Sequence, residues 1–146
     1  IEFGKSECLH RPKSQDGPID TLILAAGSLV WPSMDAVETL ENEHNVLCAL
    51  VNLRFIKPLD LDTILPLARR ATSIVVLEEG SEIGGVHSYI LQALHRELGT
   101  DCPMIHSISI PDRFIDHGTQ NELKAEIGMA SEQLSDKILG LSPIRV

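Results

Sequence analysis

A chain of 146 residues has the size of one ordinary domain and is long enough to build a single hydrophobic core. A formal net charge of −9 and a pI near 5.0 set it against phosphodiester backbones and anionic lipid surfaces, so neither nucleic acid nor a membrane is an expected partner. Three scattered cysteines (Cys8, Cys48, Cys102) without a CxxC pair speak against a disulfide framework or a zinc site; with no apolar run long enough to span a bilayer, the expected setting is a reducing cytoplasm.

Aromatic residues make up 3% of the chain and hydrophobic residues 43%, so the core has to be built from Leu, Ile, Val and Ala, a mixture that suits a parallel sheet covered by helices. Residues 5–10 read as a short, weakly apolar strand, and residues 11–20, with Pro12, Gly17 and Pro18, as a surface loop. Residues 22–26, 46–53 and 74–77 are nearly unbroken apolar runs, the pattern of strands buried on both faces. Residues 104–110 read as a further strand, diluted by His106, Ser107 and Ser109 and therefore placed at an edge. Between them, Leu61, Ile64, Leu65 and Ala68 mark one amphipathic helix, with Asp60 as its N-cap and Leu59 and Ile64 as a hydrophobic staple. The remaining helices fall at 33–43, 86–98, 120–127 and 132–139, with Gly99, Gly128 and Gly140 as C-caps.

Strands alternating with helices give a three-layer sheet, whose ligands gather beyond the carboxyl ends of the strands. Four segments fall there: 27–28, 52–57, 78–85 and 111–118. Arg54 directly follows a buried strand, and its planar fork can grip a phosphate with paired, charge-assisted hydrogen bonds; Lys57 nearby offers a point charge. The competing reading is an ion pair between Arg54 and Glu78 or Glu79. Those two carboxylates close the third apolar run and can also complement a helix amino terminus, while Gly84-Gly85 permits close packing or a backbone cradle for an anion. Asp112 and Arg113 open a loop that also holds Phe114 and Ile115, residues that either fold back into the core or dock onto something else. Six histidines show no metal-ligand spacing, and Ser28 lies in no nucleophile elbow.

Taken in order, Ile23 to Gly27, then Arg54-Phe55-Ile56-Lys57-Pro58-Leu59-Asp60, then Glu78-Glu79 with Gly84-Gly85, then PDRFIDHGTQ from Pro111 to Gln120 resemble the carboxy-terminal domain of 1-deoxy-D-xylulose-5-phosphate synthases. The first three elements are shared more loosely by transketolases and by beta subunits of 2-oxo acid dehydrogenase decarboxylases; PDRFIDHGTQ points to the synthase. The resemblance implies an α/β fold of three layers, its five strands in the order 1-3-2-4-5 and the amino-terminal edge strand antiparallel. It implies a parent transferase that condenses pyruvate with glyceraldehyde 3-phosphate using thiamine diphosphate and Mg²⁺, toward isoprenoid, thiamine and pyridoxal synthesis. In that parent Arg54 reaches the substrate phosphate, and Lys57, Glu78, Glu79, Asp112 and Arg113 lie on the rim or an interdomain face.

Nothing resembles the GDG…N thiamine-diphosphate motif or the cofactor-activating glutamate, so the resemblance assigns no cofactor, metal or catalytic residue to this chain. The whole of 1–146 then reads as one domain, a piece opening at Ile1, whose partners are the parent's own thiamine-diphosphate and pyrimidine domains within a homodimer. Alone, it is expected to be catalytically silent. His87 and Gly80 depart from the pattern, where a small residue and an asparagine are usual. The reading from a different class is a free-standing interaction or regulatory module.

Overall fold

The computed structural model describes residues 1–14 and 16–142. Its strands are β1 (Glu7–His10), β2 (Ile19–Ala25), β3 (Cys48–Asn52), β4 (Ala71–Ser81) and β5 (Met104–Ile110). The helices are α1 (Val30–His44), α2 (Leu61–Ala68), α3 (Val86–Leu98), α4 (Gln120–Glu126) and α5 (Ser131–Leu141). The strands form one sheet in the order β1-β3-β2-β4-β5, with β1 antiparallel to β3 and all other pairs parallel. This is the architecture the resemblance implied, and β5 is an edge strand as its diluted sequence suggested.

Strand β2 lies at the centre, and all seven of its residues are buried. Alternation along it divides the core. Leu22 and Leu24 face a layer with Ile64 and Leu67 of α2 and Ile90 and Leu94 of α3. Ile23 and Ala25 face the other layer, with Val37 and Leu40 of α1 and Leu134 and Ile138 of α5. No Phe, Tyr or Trp belongs to either layer, so the packing is aliphatic throughout. Burial pushes the Cys48 thiol up to about 12, with the Glu41 and Asp20 carboxylates adding to the effect, so this cysteine serves as a small apolar group.

Several local expectations are corrected. Helix α1 begins three residues earlier than its periodicity suggested, because Pro32 falls in the first turn, where a missing N–H costs nothing. It ends on Asn45 in the left-handed conformation, a C-cap that only the residue type hints at. Gly99 and Gly128 have positive φ at helix ends as expected, whereas Gly140 lies inside α5, which runs on to Leu141. Strand β4 extends past Leu77 through both glutamates to Ser81, pairing Ser81 with Ile110 beyond an irregularity.

Asp60 stands at the N-cap position of α2 but does not cap it. Its buried carboxylate instead accepts the Ser6 N–H at 2.9 Å and the Thr63 hydroxyl at 2.7 Å, with Lys5 Nζ at 3.3 Å. The entry to the edge strand is thereby tied to the start of α2. Burial raises the carboxyl's pKa, and the hydrogen bonds from Thr63, Ser6 and Lys5 outweigh it, holding the group below its ordinary value. A carboxyl that titrates lower in the folded state stabilises fully above its unfolded value near pH 4, and that contribution drains away as the pH falls through its folded value. Asp60→Ala should therefore cost about 1–3 kcal/mol at neutral pH and flatten the loss of stability as the pH falls below about 4, measured by urea unfolding at each pH.

Candidate functional site at the carboxyl edge of the sheet

At the carboxyl edge of the sheet the chain leaves β3 through Asn52, whose side-chain oxygen accepts the Arg54 N–H at 3.1 Å. That contact helps hold Arg54 in the left-handed region, with φ at 52°, a conformation unusual for a residue with a side chain. The Arg54 guanidinium donates to the Glu7 carboxylate of β1 and remains partly exposed. Neither Glu78 nor Glu79 is its partner. The sheet order explains this: β2 lies between β3 and β4, whereas β1 flanks β3 directly and its register sets Glu7 opposite Asn52. No sequence signal singled out Glu7. Phe55 packs edge-on against Phe3, with ring centroids 5.3 Å apart, and Lys57 is exposed.

Glu78 is buried at 3% exposure and does not face outward from the rim. Its carboxylate accepts the N–H groups of Val86 and His87, both at 2.9 Å, so it closes the amino terminus of α3. Of the readings open to the glutamate pair, this is the helix-complementing one, and it removes the cradle that Gly84-Gly85 offered to an outside anion. The close fit accounts for two glycines. A Cβ on Gly80 would lie 2.3 Å from a Glu78 carboxylate oxygen, and one on Gly85 would lie 2.3 Å from the Ser81 carbonyl. Glycine at position 80, unusual for the pattern, thus accompanies a carboxylate folded inward. The imidazole Nε2 of His87 is buried with no hydrogen-bond partner.

Glu79 points the other way and pairs with Lys124 of α4 at 2.7 Å; Lys124 also donates to the Ser28 hydroxyl at 3.1 Å. The hydrogen bond from Lys124 is the main reason that the Glu79 carboxyl is held below its ordinary value. Lys124 was not legible as a site residue, since it lies 45 positions from Glu79 with nothing between to announce the contact. Asp112 is exposed, and Arg113 pairs with Glu126 at 2.9 Å. The two apolar residues of this loop separate: Ile115 is partly buried and Phe114 is fully exposed. Thr119 then opens α4 with a capping box closed by Glu122.

The donor set does not suit a diphosphate cofactor with its metal. Among the described residues no group of three or more His, Cys, Asp or Glu side chains can hold a metal ion. The fold's ready anion seat at α3 is filled by Glu78.

The family model described as "Transketolase, C-terminal domain" matches residues 13–134. A 1-deoxy-D-xylulose-5-phosphate synthase of Trichormus variabilis is 39% identical over 140 residues, covering 95% of this chain and 20% of that protein. Its counterpart in Rippkaea orientalis is 41% identical over 141 residues, with the same coverage of 95% and 20%. The chain therefore spans about a fifth of the length of the curated relatives it matches. Among solved structures, a split gene transketolase described as an inactive beta4 tetramer superposes with a TM-score of 0.79 at 24% identity, covering 96% of this chain and 43% of that one. The transketolase of Campylobacter jejuni follows at 0.59 and 16%, covering 94% and 18%. At these identities the structures speak for the fold alone.

The Glu78 seat carries a direct test. Glu78→Ala leaves two helix N–H groups without a partner and should cost about 2–3 kcal/mol, lowering Tm by roughly 5–10 °C in calorimetry. Gly85→Ala should lower Tm by a similar amount, because the new methyl group meets backbone at Ser81.

Proposed function

This chain belongs to the transketolase C-terminal domain family, and on that premise we propose that it is the carboxy-terminal domain of a 1-deoxy-D-xylulose-5-phosphate synthase. The observation that carries the reading is the similarity to such synthases at 36–41% identity across at least 95% of the chain. Transketolases share the fold at much lower identity, and the PDRFIDHGTQ loop favours the synthase over its more distant cousins.

In this reading the parent condenses pyruvate with glyceraldehyde 3-phosphate in the cytoplasm as a homodimer. Thiamine diphosphate and Mg²⁺ are held by its other domains. The part this chain plays is to pack against the pyrimidine-binding domain and to lend Arg54 to the mouth of the active site. Arg54 suits that part physically. It carries five N–H donors at the end of a buried strand, its side chain is 28% exposed, and Glu7 anchors the fork from the strand alongside. Lys57, Glu79, Asp112 and Arg113 belong to the same rim, while Glu78 works inside it.

Two measurements test the reading. In a chimera where this chain replaces the aligned fifth of the Trichormus variabilis synthase, Arg54→Ala should raise KM for glyceraldehyde 3-phosphate about tenfold or more and leave KM for pyruvate within about twofold. Equal effects on both substrates would count against phosphate contact. The chain by itself should show no heat with thiamine diphosphate and Mg²⁺ in titration calorimetry, and a stoichiometric signal would overturn the assignment of the cofactor to other domains.

A further inference from the structure

The three phenylalanines, the tryptophan and the tyrosine of this sequence all stay out of the core. Trp31 stands in the first turn of α1 and Tyr89 in the first turn of α3, both at the carboxyl edge of the sheet. Phe55 follows β3 with Phe3 against it, and Phe114 follows β5 with its side chain in solvent. Ile115, the other large apolar residue of the loop after β5, behaves differently. It is partly buried and, with Ile110, Leu123, Ile127 and Met129, walls a cavity of about 220 Å³ between β5 and α4. No aromatic side chain lines that cavity, and its floor is aliphatic apart from the Met129 thioether, a surface that favours an apolar group over ordered water.

Four polar side chains stand around this floor: Glu79, Asp116, Gln120 and Lys124. Lys124 spends its ammonium group on Glu79 at 2.7 Å and on the Ser28 hydroxyl at 3.1 Å, so the charges of that pair cancel. Asp116 is exposed, and its carboxylate has neither a hydrogen bond nor an ion pair among the described residues. The mouth therefore carries an uncompensated negative charge, on a chain whose net charge is already −9.

We propose that this cavity is a binding site for a small primary arylalkylamine, with the ring on the aliphatic floor and the ammonium group at Asp116 and Glu79. Size and chemistry select that class. An apolar cavity of about 150 Å³ accepts benzene, so this one holds a ring with a short alkyl arm. Met129 is 1% exposed, and its polarisable sulfur favours contact with a ring over contact with an alkyl chain. An ammonium head meets two carboxylates, whereas a carboxylate or phosphate head would face them with only a lysine that is already engaged. The site goes beyond the synthase reading, because pyruvate and glyceraldehyde 3-phosphate are anions and that reading places the phosphate at Arg54.

The probes are benzylamine, phenylacetate and methylamine, and the reporter is the methyl resonance of Met129 in chain labelled with ¹³C-methyl methionine. Of the three methionines, Met129 lines the cavity, and Met104, 67% exposed at the far end of β5, serves as the control. Benzylamine should move the Met129 signal saturably, with a Kd of about 1 mM or tighter, and leave Met104 in place. Phenylacetate should bind about tenfold more weakly or worse, and methylamine, which has the head without the ring, should leave the signal where it is. Phenylacetate binding as tightly as benzylamine would refute the ammonium site. No saturable shift with benzylamine, an equal shift with methylamine, or Met104 moving in step with Met129 would refute the cavity as the seat.

Two variants locate the ligand. Leu123→Trp places an indole in the cavity and should weaken benzylamine about tenfold or more; unchanged affinity would overturn the proposal. Asp116→Lys alters an exposed residue outside every helix and strand, so it probes the mouth and spares the fold. It should weaken benzylamine about fivefold or more and bring phenylacetate level with it or ahead. An unaltered order of the two ligands would overturn the proposal, even where Leu123→Trp does not fold. The synthase reading stands or falls on Arg54 in the chimera and is untouched by either result.

Discussion

Strand β2 has no wet side. Because both of its faces are covered by aliphatic layers, its backbone groups have to be satisfied by β3 and β4 in register, and its polar neighbours are driven to the strand ends. That constraint orders the rest of the molecule. Helices must cover both faces, the loops that join them must collect at the two edges, and the edge reached by the carboxyl ends of four parallel strands receives the residues that do not fit the interior.

The two glutamates at the end of β4 show how that edge sorts charge. Adjacent residues on a strand point to opposite faces, so Glu78 turns toward α3 and Glu79 toward α4. One is dry and satisfied by backbone donors at a helix start; the other is half-exposed and held by a lysine. A single strand thus secures helices on both sides of the sheet with one residue each. The inward carboxylate is tolerable only because the backbone around it lacks two Cβ atoms, at Gly80 and Gly85.

Much of this was legible in the residues themselves. Unbroken apolar runs located β2, β3 and β4, the serines of β5 marked an edge, and the stripe of α2 found Ile64 and Ala68 but passed over Leu67, which is buried while Leu61 and Leu65 are only partly so. What stayed hidden depended on pairing across distance. Strand β4 looked four residues long because Ala71 to Ser73 break the apolar run on one side and two glutamates read as a loop on the other, and only the helix terminus waiting for Glu78 makes that carboxylate compatible with a strand. Asp60 looked like a cap because its position is right, yet its carboxylate was claimed by Ser6 from 54 residues away. Arg54 was placed at the correct edge, but the competing ion-pair reading named the wrong carboxylates: the glutamates nearest in motif order sit beyond β2, and the anchoring Glu7 comes from the weakest strand in the sequence. Rim membership was readable from strand ends, whereas the ion pairs Arg54–Glu7 and Glu79–Lys124 required the fold.

The placement of the aromatic side chains has an optical consequence. Near-ultraviolet absorbance, circular dichroism and fluorescence all originate from Trp31, Tyr89 and the phenylalanines, so these signals view the carboxyl edge while the aliphatic layers stay dark. A spectroscopist watching that band would see whatever touches the edge and would have to turn to the amide signal to see the core melt.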